Sequence, residues 1–308
     1  MDWYCLTLFM VLIILVRKVD FMAYTSLNGK DLAKRMKQSM AQEVKALSEQ
    51  GITPGLAVVI VGNDPASRIY VNNKKKDCAE VGIRSFEYAL PEETGEEELL
   101  ELIDALNQDS AVDGILVQLP IPRHLNEGRV IRRISPEKDV DAFHPYNVGE
   151  LMIGNMIFSP CTPAGVMELL KDAGIEVSGK NCVIVGRSNI VGKPMSMLML
   201  HANATVTVCH SKTRDLASVC READILIAAV GKPDFITKDY VKKGAVVIDV
   251  GINRKEDGSM TGDVDFAEVS KIASAITPVP GGVGPMTRAM LLKNTIKACK
   301  MHKNKRLS

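Results

Sequence analysis

The feature that most constrains this chain is a repeated change of hydrophobic period. Short apolar runs alternate with longer stretches whose apolar residues recur every three or four positions. Residues 56–61 (LAVVIV), 85–90, 114–118, 182–185, 205–209, 225–229 and 246–250 are strand-length, and the most uniformly apolar of them must be covered on both faces. Between them, Leu32, Met36, Met40, Val44 and Leu47 lay an apolar stripe along a helix over residues 27–51. Further helices are predicted over 67–81, closed by Gly82, and over 96–107, 164–173 and 287–300. Strand followed by helix, many times over, predicts an α/β fold with parallel sheets.

At 308 residues the chain is long enough for two such domains. Prolines at 120, 122, 136, 145, 160 and 163 mark the boundary region between them, with the helix 164–173 bridging it. Near the end, residues 278–285 (PVPGGVGP) read as a rigid, turn-rich segment. No internal repeat or low-complexity tract is visible.

A formal net charge of +1 supplies no global field for nucleic acid or an anionic membrane, so the expected ligand is small. The seven cysteines form no CxxC and no zinc spacing, and their number is odd. Several lie in apolar runs, which fits a reduced, cytoplasmic compartment. Residues 3–16 form a 14-residue apolar stretch, about 21 Å as a helix against roughly 30 Å for a hydrocarbon core. Only Asp2 precedes it and Arg17 and Lys18 follow, the wrong polarity for a signal peptide. Residues 1–21 are therefore read as an extension ahead of an initiator at Met22, in preference to a membrane anchor.

Residues 179–194, GKNCVIVGRSNIVGKP, end a strand at Val185, turn at Gly186, and start a helix near Pro194. Gly186 and Gly192 would let backbone approach a phosphate, and the helix start offers free N–H groups. Ser188 replaces the second glycine of the dinucleotide fingerprint, so this loop alone reads equally well as a plain strand–turn–helix join. After the next strand, His210-Ser211-Lys212-Thr213 stands where NAD-preferring folds carry an acid for the ribose hydroxyls. A hydroxyl and a base there, with Arg187 converging from the first loop, favour the 2′-phosphate of NADP. The alternative is that HSKT merely caps the following helix, which Asp215 starts.

Three further fragments carry chemistry. In SRIYVNNKKKD, Tyr70 and Lys74 fall at i and i+4 on one helix face, where a desolvated lysine moves protons; taken alone, three consecutive lysines read better as a solvated face. In GILVQLPIP, Gln118 ends a buried strand, placed either to orient a lysine or to satisfy the strand end. PEKDVDAFHP brings Asp139 and Asp141 into the proline-rich join, where a carboxylate either grips an amino-pyrimidine edge or caps a turn.

In this order, SRIYVNNKKK, DGILVQLPIP, PEKDVDAFHPYNVG, PCTPAGVMELL, VIVGRSNIVGKP, VTVCHSKT, VIDVGIN, GDVD and TPVPGGVGPMT make the chain similar to the bifunctional methylenetetrahydrofolate dehydrogenase/cyclohydrolase family. The likeness runs from Leu27 to the last helix. It implies two α/β domains with a cleft between them, the second a Rossmann-like doubly wound parallel sheet. A folate-binding catalytic domain would comprise residues 22–143 and 286–308, and an NADP-binding domain residues 144–285. The implied reactions are oxidation of 5,10-methylenetetrahydrofolate with NADP and hydrolysis of 5,10-methenyltetrahydrofolate to 10-formyltetrahydrofolate, within one-carbon metabolism and purine biosynthesis.

By the same resemblance Lys74 is the catalytic lysine, Tyr70 stacks by the folate, Gln118 tunes the lysine and Asp141 holds the pterin. Gly186, Arg187, Ser188, Ser211 and Ile252 would contact the cofactor, and Pro280, Gly281 and Gly282 would shape the folate cleft. A homodimer is implied, without metal or nucleic acid. Two residues depart from the pattern: Ala142 stands where the family commonly has glycine, and Arg288 puts a charge on an otherwise apolar helix start. If position 142 needs positive φ, alanine strains that loop. The main rival reading is a dehydrogenase acting on another substrate, which would need neither SRIYVNNKKK nor VQLPIP; a non-catalytic folate or nucleotide binder would not need Lys74.

Overall fold

A computed structural model describes residues 24–255 and 257–307, so the apolar stretch within residues 1–21 lies outside the described residues. In chain order the first half forms β1 (Thr25–Ser26), α1 (Gly29–Ser48), β2 (Gly55–Val61), α2 (Pro65–Val81), β3 (Arg84–Leu90), α3 (Glu96–Gln108), β4 (Gly114–Val117), α4 (Glu127–Arg133) and α5 (Pro145–Ile153). Then follow α6 (Cys161–Asp172), β5 (Asn181–Val185), α7 (Gly192–His201), β6 (Thr205–Cys209), α8 (Leu216–Arg221), β7 (Ile225–Ala228) and β8 (Val246–Asp249). The chain closes with β9 (Asn253–Arg254), β10 (Met260–Thr261), α9 (Phe266–Val269), β11 (Ala275–Ile276) and α10 (Val283–Leu307).

Two parallel sheets result. The smaller runs β3–β2–β4, with Val59 opposite both Tyr88 and Val117. The larger, six-stranded sheet runs β1–β11–β8–β7–β5–β6 and is Rossmann-like and doubly wound. All seven residues of β2 are buried, and they alternate between two cores: Leu56, Val58 and Ile60 face one, Ala57, Val59 and Val61 the other. Strand β5 does the same, sending Cys182 and Ile184 to one side and Val183 and Val185 to the other. This two-sided burial is what the uniformly apolar runs demanded. The core on the Leu56 side is continuous with that on the Ile184 side, through residues of α1, α6 and α10. Helix α10 packs on both α1 and α6.

The structure adds to the sequence reading at several points. The proline-rich join carries α4 and α5; Pro145 occupies the first turn of α5, where a missing N–H breaks no helical bond. Residues 283–285, expected in a turn, form the first turn of α10, and Pro285 is tolerated there for the same reason. Helix α7 starts at Gly192, two residues before Pro194. Strands β1 and β11 have two residues each, too few for any period to register. Among the described residues no helix is long and apolar enough to cross a membrane.

Candidate active site

Helix α2 presents the chemistry-bearing face. Asp64 caps it by accepting from the Ser67 N–H at 2.7 Å, and Gly82 ends it at φ +89°, a conformation glycine adopts freely. Between these ends Tyr70 and Lys74 stand one turn apart, both half-buried, whereas Lys75 and Lys76 face solvent. The three consecutive lysines are thus divided by helix geometry. Lys74 Nζ donates to Gln118 Oε1 at 3.0 Å. Gln118 follows β4 directly, its N–H bonded to Val59 O and its Nε2 donating to Leu119 O at 2.7 Å. The amide is held at both ends, so its oxygen is fixed toward the lysine.

Asp139 and Asp141 are separated by the turn they share. Asp139 is buried and accepts from the His144 N–H at 2.7 Å and from Asn147 Nδ2 at 2.8 Å, so it holds the turn. Asp141 instead lines a chamber of about 320 Å³ with Tyr70, Lys74 and Gln118. Burial pushes the Lys74 amine below its ordinary value, against the opposing pull of Asp141. Burial pushes the Asp141 carboxyl up, against Lys74 and a hydrogen bond from Cys161. Both shifts favour uncharged forms, as expected of ionisable groups in a dry cleft.

The sequence did not single out Cys161, because a cysteine amid apolar neighbours reads as a small hydrophobe. It is buried at the start of α6 with Sγ 3.3 Å from Val140 O. Asn294 of α10 also donates to Val140 O, at 2.8 Å, fixing the segment that carries Asp141.

An outer chamber of about 470 Å³ adjoins the first and shares Tyr70, Ile252 and Arg288 with it. Pro280, Gly281 and Gly282 line this outer part. Gly281 has φ +111°, and its carbonyl accepts from the Lys30 N–H at 2.9 Å, tying the loop to α1. A larger cavity of about 860 Å³ lies among α4, α5 and α7 and meets the inner chamber only at Phe143 and Ile190.

The remaining expected residues sit at the C-terminal edge of the larger sheet. After β5 the chain moves to β6 on one side and then returns to β7 on the other, the switch point at which such sheets bind ligands. Val185 pairs with Cys209, so the loop bearing Gly186, Arg187 and Ser188 leaves beside the one bearing Ser211 and Lys212. Arg187, Ser188, Ser211 and Lys212 are all exposed. The glycines also serve the packing of the loop. A Cβ on Gly186 would lie 2.1 Å from Ala229 O, so this glycine lets the loop pass against the end of β7; one on Gly192 would lie 2.2 Å from Gly186 O, so that glycine lets the loop fold on itself. Ser188 Oγ accepts from the Val191 and Gly192 N–H groups.

Asp215 caps α8 by accepting from the Ser218 N–H at 3.3 Å, and Thr213 Oγ1 accepts from the His210 N–H at 2.9 Å. The acid is therefore engaged in capping, while Ser211, Lys212 and Arg187 remain facing outward at one edge. That donor set fits a phosphorylated dinucleotide. Ile252, 44% exposed, comes from the loop after β8 and lines both chambers. Among the described residues no His, Cys, Asp and Glu side chains gather as a metal site.

Residues 27–141 match the family model described as the tetrahydrofolate dehydrogenase/cyclohydrolase catalytic domain, and residues 160–303 match its NAD(P)-binding domain. The chain is 65% identical over 272 residues to the bifunctional protein FolD of Ruminiclostridium cellulolyticum, covering 88% of this chain and 96% of that protein. The crystal structure of FolD methylenetetrahydrofolate dehydrogenase/cyclohydrolase from Campylobacter jejuni superposes with a TM-score of 0.89 at 52% identity, covering 91% of this chain and 99% of that one. The Trypanosoma brucei N5,N10-methylenetetrahydrofolate dehydrogenase-cyclohydrolase, solved with NADP cofactor and inhibitor, gives 0.87 at 40% identity, covering 90% and 98%.

Proposed function

The chain belongs to the tetrahydrofolate dehydrogenase/cyclohydrolase family, and from that premise we propose how its own residues divide the work. It is a bifunctional enzyme of one-carbon metabolism, oxidising 5,10-methylenetetrahydrofolate with NADP and hydrolysing 5,10-methenyltetrahydrofolate to 10-formyltetrahydrofolate. The observation that carries the assignment of roles is Lys74, desolvated and hydrogen-bonded to a doubly anchored Gln118 in a chamber that also holds Asp141.

Asp141 accepts hydrogen bonds from the amino-pyrimidine edge of the pterin, and Tyr70 packs on the folate beside it. Pro280, Gly281 and Gly282 form the outer wall of the folate cleft. In hydrolysis, the oxygen of water bonds to the cationic methenyl carbon and the bond from that carbon to one ring nitrogen breaks. Lys74, whose amine burial pushes toward the neutral form, takes a proton from the water and returns one to the departing nitrogen; a second proton leaves to solvent. Gln118 keeps the amine aimed at that carbon. In oxidation no proton need move, so the residues act by positioning.

Gly186, Arg187, Ser188, Ser211 and Ile252 hold the cofactor, with Lys212 joining Arg187 and Ser211 around the 2′-phosphate. NADP bound there supplies the hydride acceptor. Preference for NADP over NAD is supported by the engagement of Asp215 in capping α8.

The catalytic unit comprises residues 22–143 with 286–308, and the cofactor unit residues 144–285. Packing of α10 on α1 supports its return to the catalytic unit, while its packing on α6 joins it to the cofactor unit, as does the two-residue β1 reaching across to the larger sheet. A homodimer is supported by exposed Met152, Ile153, Leu200 and Val208, which lie on the successively packed α5, α7 and edge strand β6. The enzyme works in the cytoplasm, where buried thiols such as Cys78, Cys161 and Cys182 remain reduced and the formyl product supplies purine synthesis.

The test is an assay of the purified protein on both substrates with NADP and with NAD, beside sedimentation analysis. Both activities, higher kcat/KM with NADP and a dimer are expected. Loss of either activity or equal use of NAD would overturn the corresponding part.

A further inference from the structure

Arg288 is the single charged side chain in the first ten residues of α10, and none of the roles above uses it. Its Nε donates to Asp77 Oδ2 at 2.6 Å. The other oxygen of Asp77 accepts from Lys37 Nζ at 2.9 Å, and Lys37 also pairs with Glu80. Three helices meet at this point: α1 through Lys37, α2 through Asp77 and α10 through Arg288. The Asp77 side chain is only 10% exposed, so two cations replace much of its hydration. Asp77 lies one turn beyond Lys74 on α2, and Arg288 lines the inner chamber with Tyr70, Lys74 and Gln118.

We propose that Arg288 is a positioning residue for Lys74: by gripping Asp77 it fixes the catalytic helix against α10, and it sets a permanent positive charge beside the lysine amine. The charged and titratable groups facing that amine are Asp141, Cys161 of α6, Cys78 of its own helix and Arg288 of α10. Asp141 favours the ammonium, whereas burial pushes both thiols up so that they stay uncharged at working pH; Arg288 is the cation that opposes the ammonium, a smaller influence acting in the same direction as the dominant burial. A guanidinium stays charged at every working pH, so this opposition does not titrate away. Arg288 thereby keeps Lys74 ready to accept a proton while pinning the turn that carries it. Its charge enters the cleft from the helix that also supplies the Asn294 clamp behind Asp141.

The inference rests on the proposed role of Lys74, and its test separates the two. The reactivity of the Lys74 amine toward trace acetic anhydride is mapped against pH by mass spectrometry in the purified, full-length enzyme. Wild type is compared with Arg288→Gln, which keeps a donor for Asp77 but removes the charge, and with Arg288→Lys, which keeps the charge. Cyclohydrolase pH profiles and melting curves are recorded alongside. In Arg288→Gln the Lys74 midpoint rises by about one pH unit and the ascending limb of the cyclohydrolase profile moves with it. At neutral pH kcat falls about tenfold, with a smaller change in the folate KM. Arg288→Lys returns both midpoints close to wild type.

An unmoved labelling midpoint in folded Arg288→Gln overturns the proposal and leaves Arg288 a strut, whatever happens to the melting temperature. If Arg288→Gln does not fold, Arg288→Met, which removes the charge and keeps the aliphatic stem, takes its place and its labelling midpoint is read in the same way. A labelling midpoint that moves while the activity profile stays still supports the action of Arg288 and removes Lys74 from the chemistry.

Discussion

On the α2 side of the cleft, Lys74 already has its partner at 3.0 Å, that partner is anchored by a second bond at 2.7 Å, and Asp141 shares the same chamber. On the β5–β6 side, Arg187, Ser188, Ser211 and Lys212 stand exposed, and Ser188 bonds only within its own loop. The contrast follows from what each side does. Proton movement requires a group whose ionisation is set before substrate arrives, and that setting needs dry, fixed surroundings. Holding a phosphate requires donors that water can satisfy until the phosphate displaces it. The folate side therefore stores its cost in the folded protein, while the cofactor side meets it on binding. Substitutions on the first should act mainly on rate and stability, and those on the second mainly on affinity.

The largest effect, and the most direct way to break this contrast, is Lys74→Met. Removing the amine while keeping its aliphatic bulk should lower cyclohydrolase kcat by about 10²–10⁴-fold and the dehydrogenase by less. Stability should move the other way. The Lys74 amine is held below its unfolded value, so in the pH range between the two values folding strips off a proton that the unfolded chain keeps. That cost grows as pH falls toward the folded value, and methionine does not bear it. Lys74→Met should thus melt at or above the wild-type temperature, with an advantage that grows as pH is lowered from the ordinary lysine range, as read by calorimetry. A large fall in melting temperature would mean that the amine is a structural tie.

Next in size is Ser211→Asp on the cofactor side. An acid in place of the hydroxyl removes a donor and repels a 2′-phosphate. It should cut kcat/KM for NADP by about 10–100-fold with little change for NAD. Because the residue is exposed, the melting temperature should not move. Equal losses with both cofactors would show that Ser211 shapes the loop and does not read the phosphate.

What was legible in the sequence follows the same division. Elements that bury two faces declared themselves: β2 and β5 needed no context beyond their apolar runs. The catalytic helix was legible because Tyr70 and Lys74 are neighbours through its period. Contacts between distant elements left no local signal. Nothing in the spacing showed that Asp139 would serve the turn and Asp141 the cleft, since the choice depends on Asn147 and on the backbone of His144. Cys161 and Asp77 were invisible for that reason, and Arg288 registered only as an oddity. Gly186 and Gly192 were noticed for the approach of a phosphate, but the close backbone packing that also needs them, against Ala229 and Gly186 O, left no local signal.

The cofactor side is not open throughout, and Asp249 sharpens the comparison. At the end of β8 it accepts from the Gly251, Asp263 and Val264 N–H groups, each at 2.9 Å, and so shapes the loop that carries Ile252. Burial and the neighbouring Asp263 push its carboxyl up to about 7. A raised carboxyl binds its proton more tightly in the folded state, so its stabilising contribution is complete below the ordinary carboxylate range and is lost as pH rises through about 7. Wild type should therefore lose about 2–4 kcal/mol relative to Asp249→Asn between pH 4 and 7, measured by denaturant unfolding. A constant difference across that window would show that Asp249 does not titrate there, its three N–H donors holding it ionised.

The smallest expected effect tests how finely the folate side is set. Ala142 follows Asp141 at φ +60° and is 2% exposed, its N–H bonded to Asp139 O at 3.1 Å. The left-handed region costs an alanine about 1 kcal/mol, which glycine would recover. Against that, glycine adds about 0.4–1 kcal/mol of unfolded-chain entropy and gives up roughly 0.8 kcal/mol of buried methyl. The opposing contributions nearly cancel, so Ala142→Gly should change unfolding free energy by less than about 1 kcal/mol. Asp141 is held from several directions, by the turn at Asp139, by Asn294 on Val140 O and by Cys161, so the folate KM should shift less than about threefold. A tenfold shift in KM without loss of stability would mean that this one methyl sets the carboxylate, and that the folate side depends on a strained backbone more than on its hydrogen bonds.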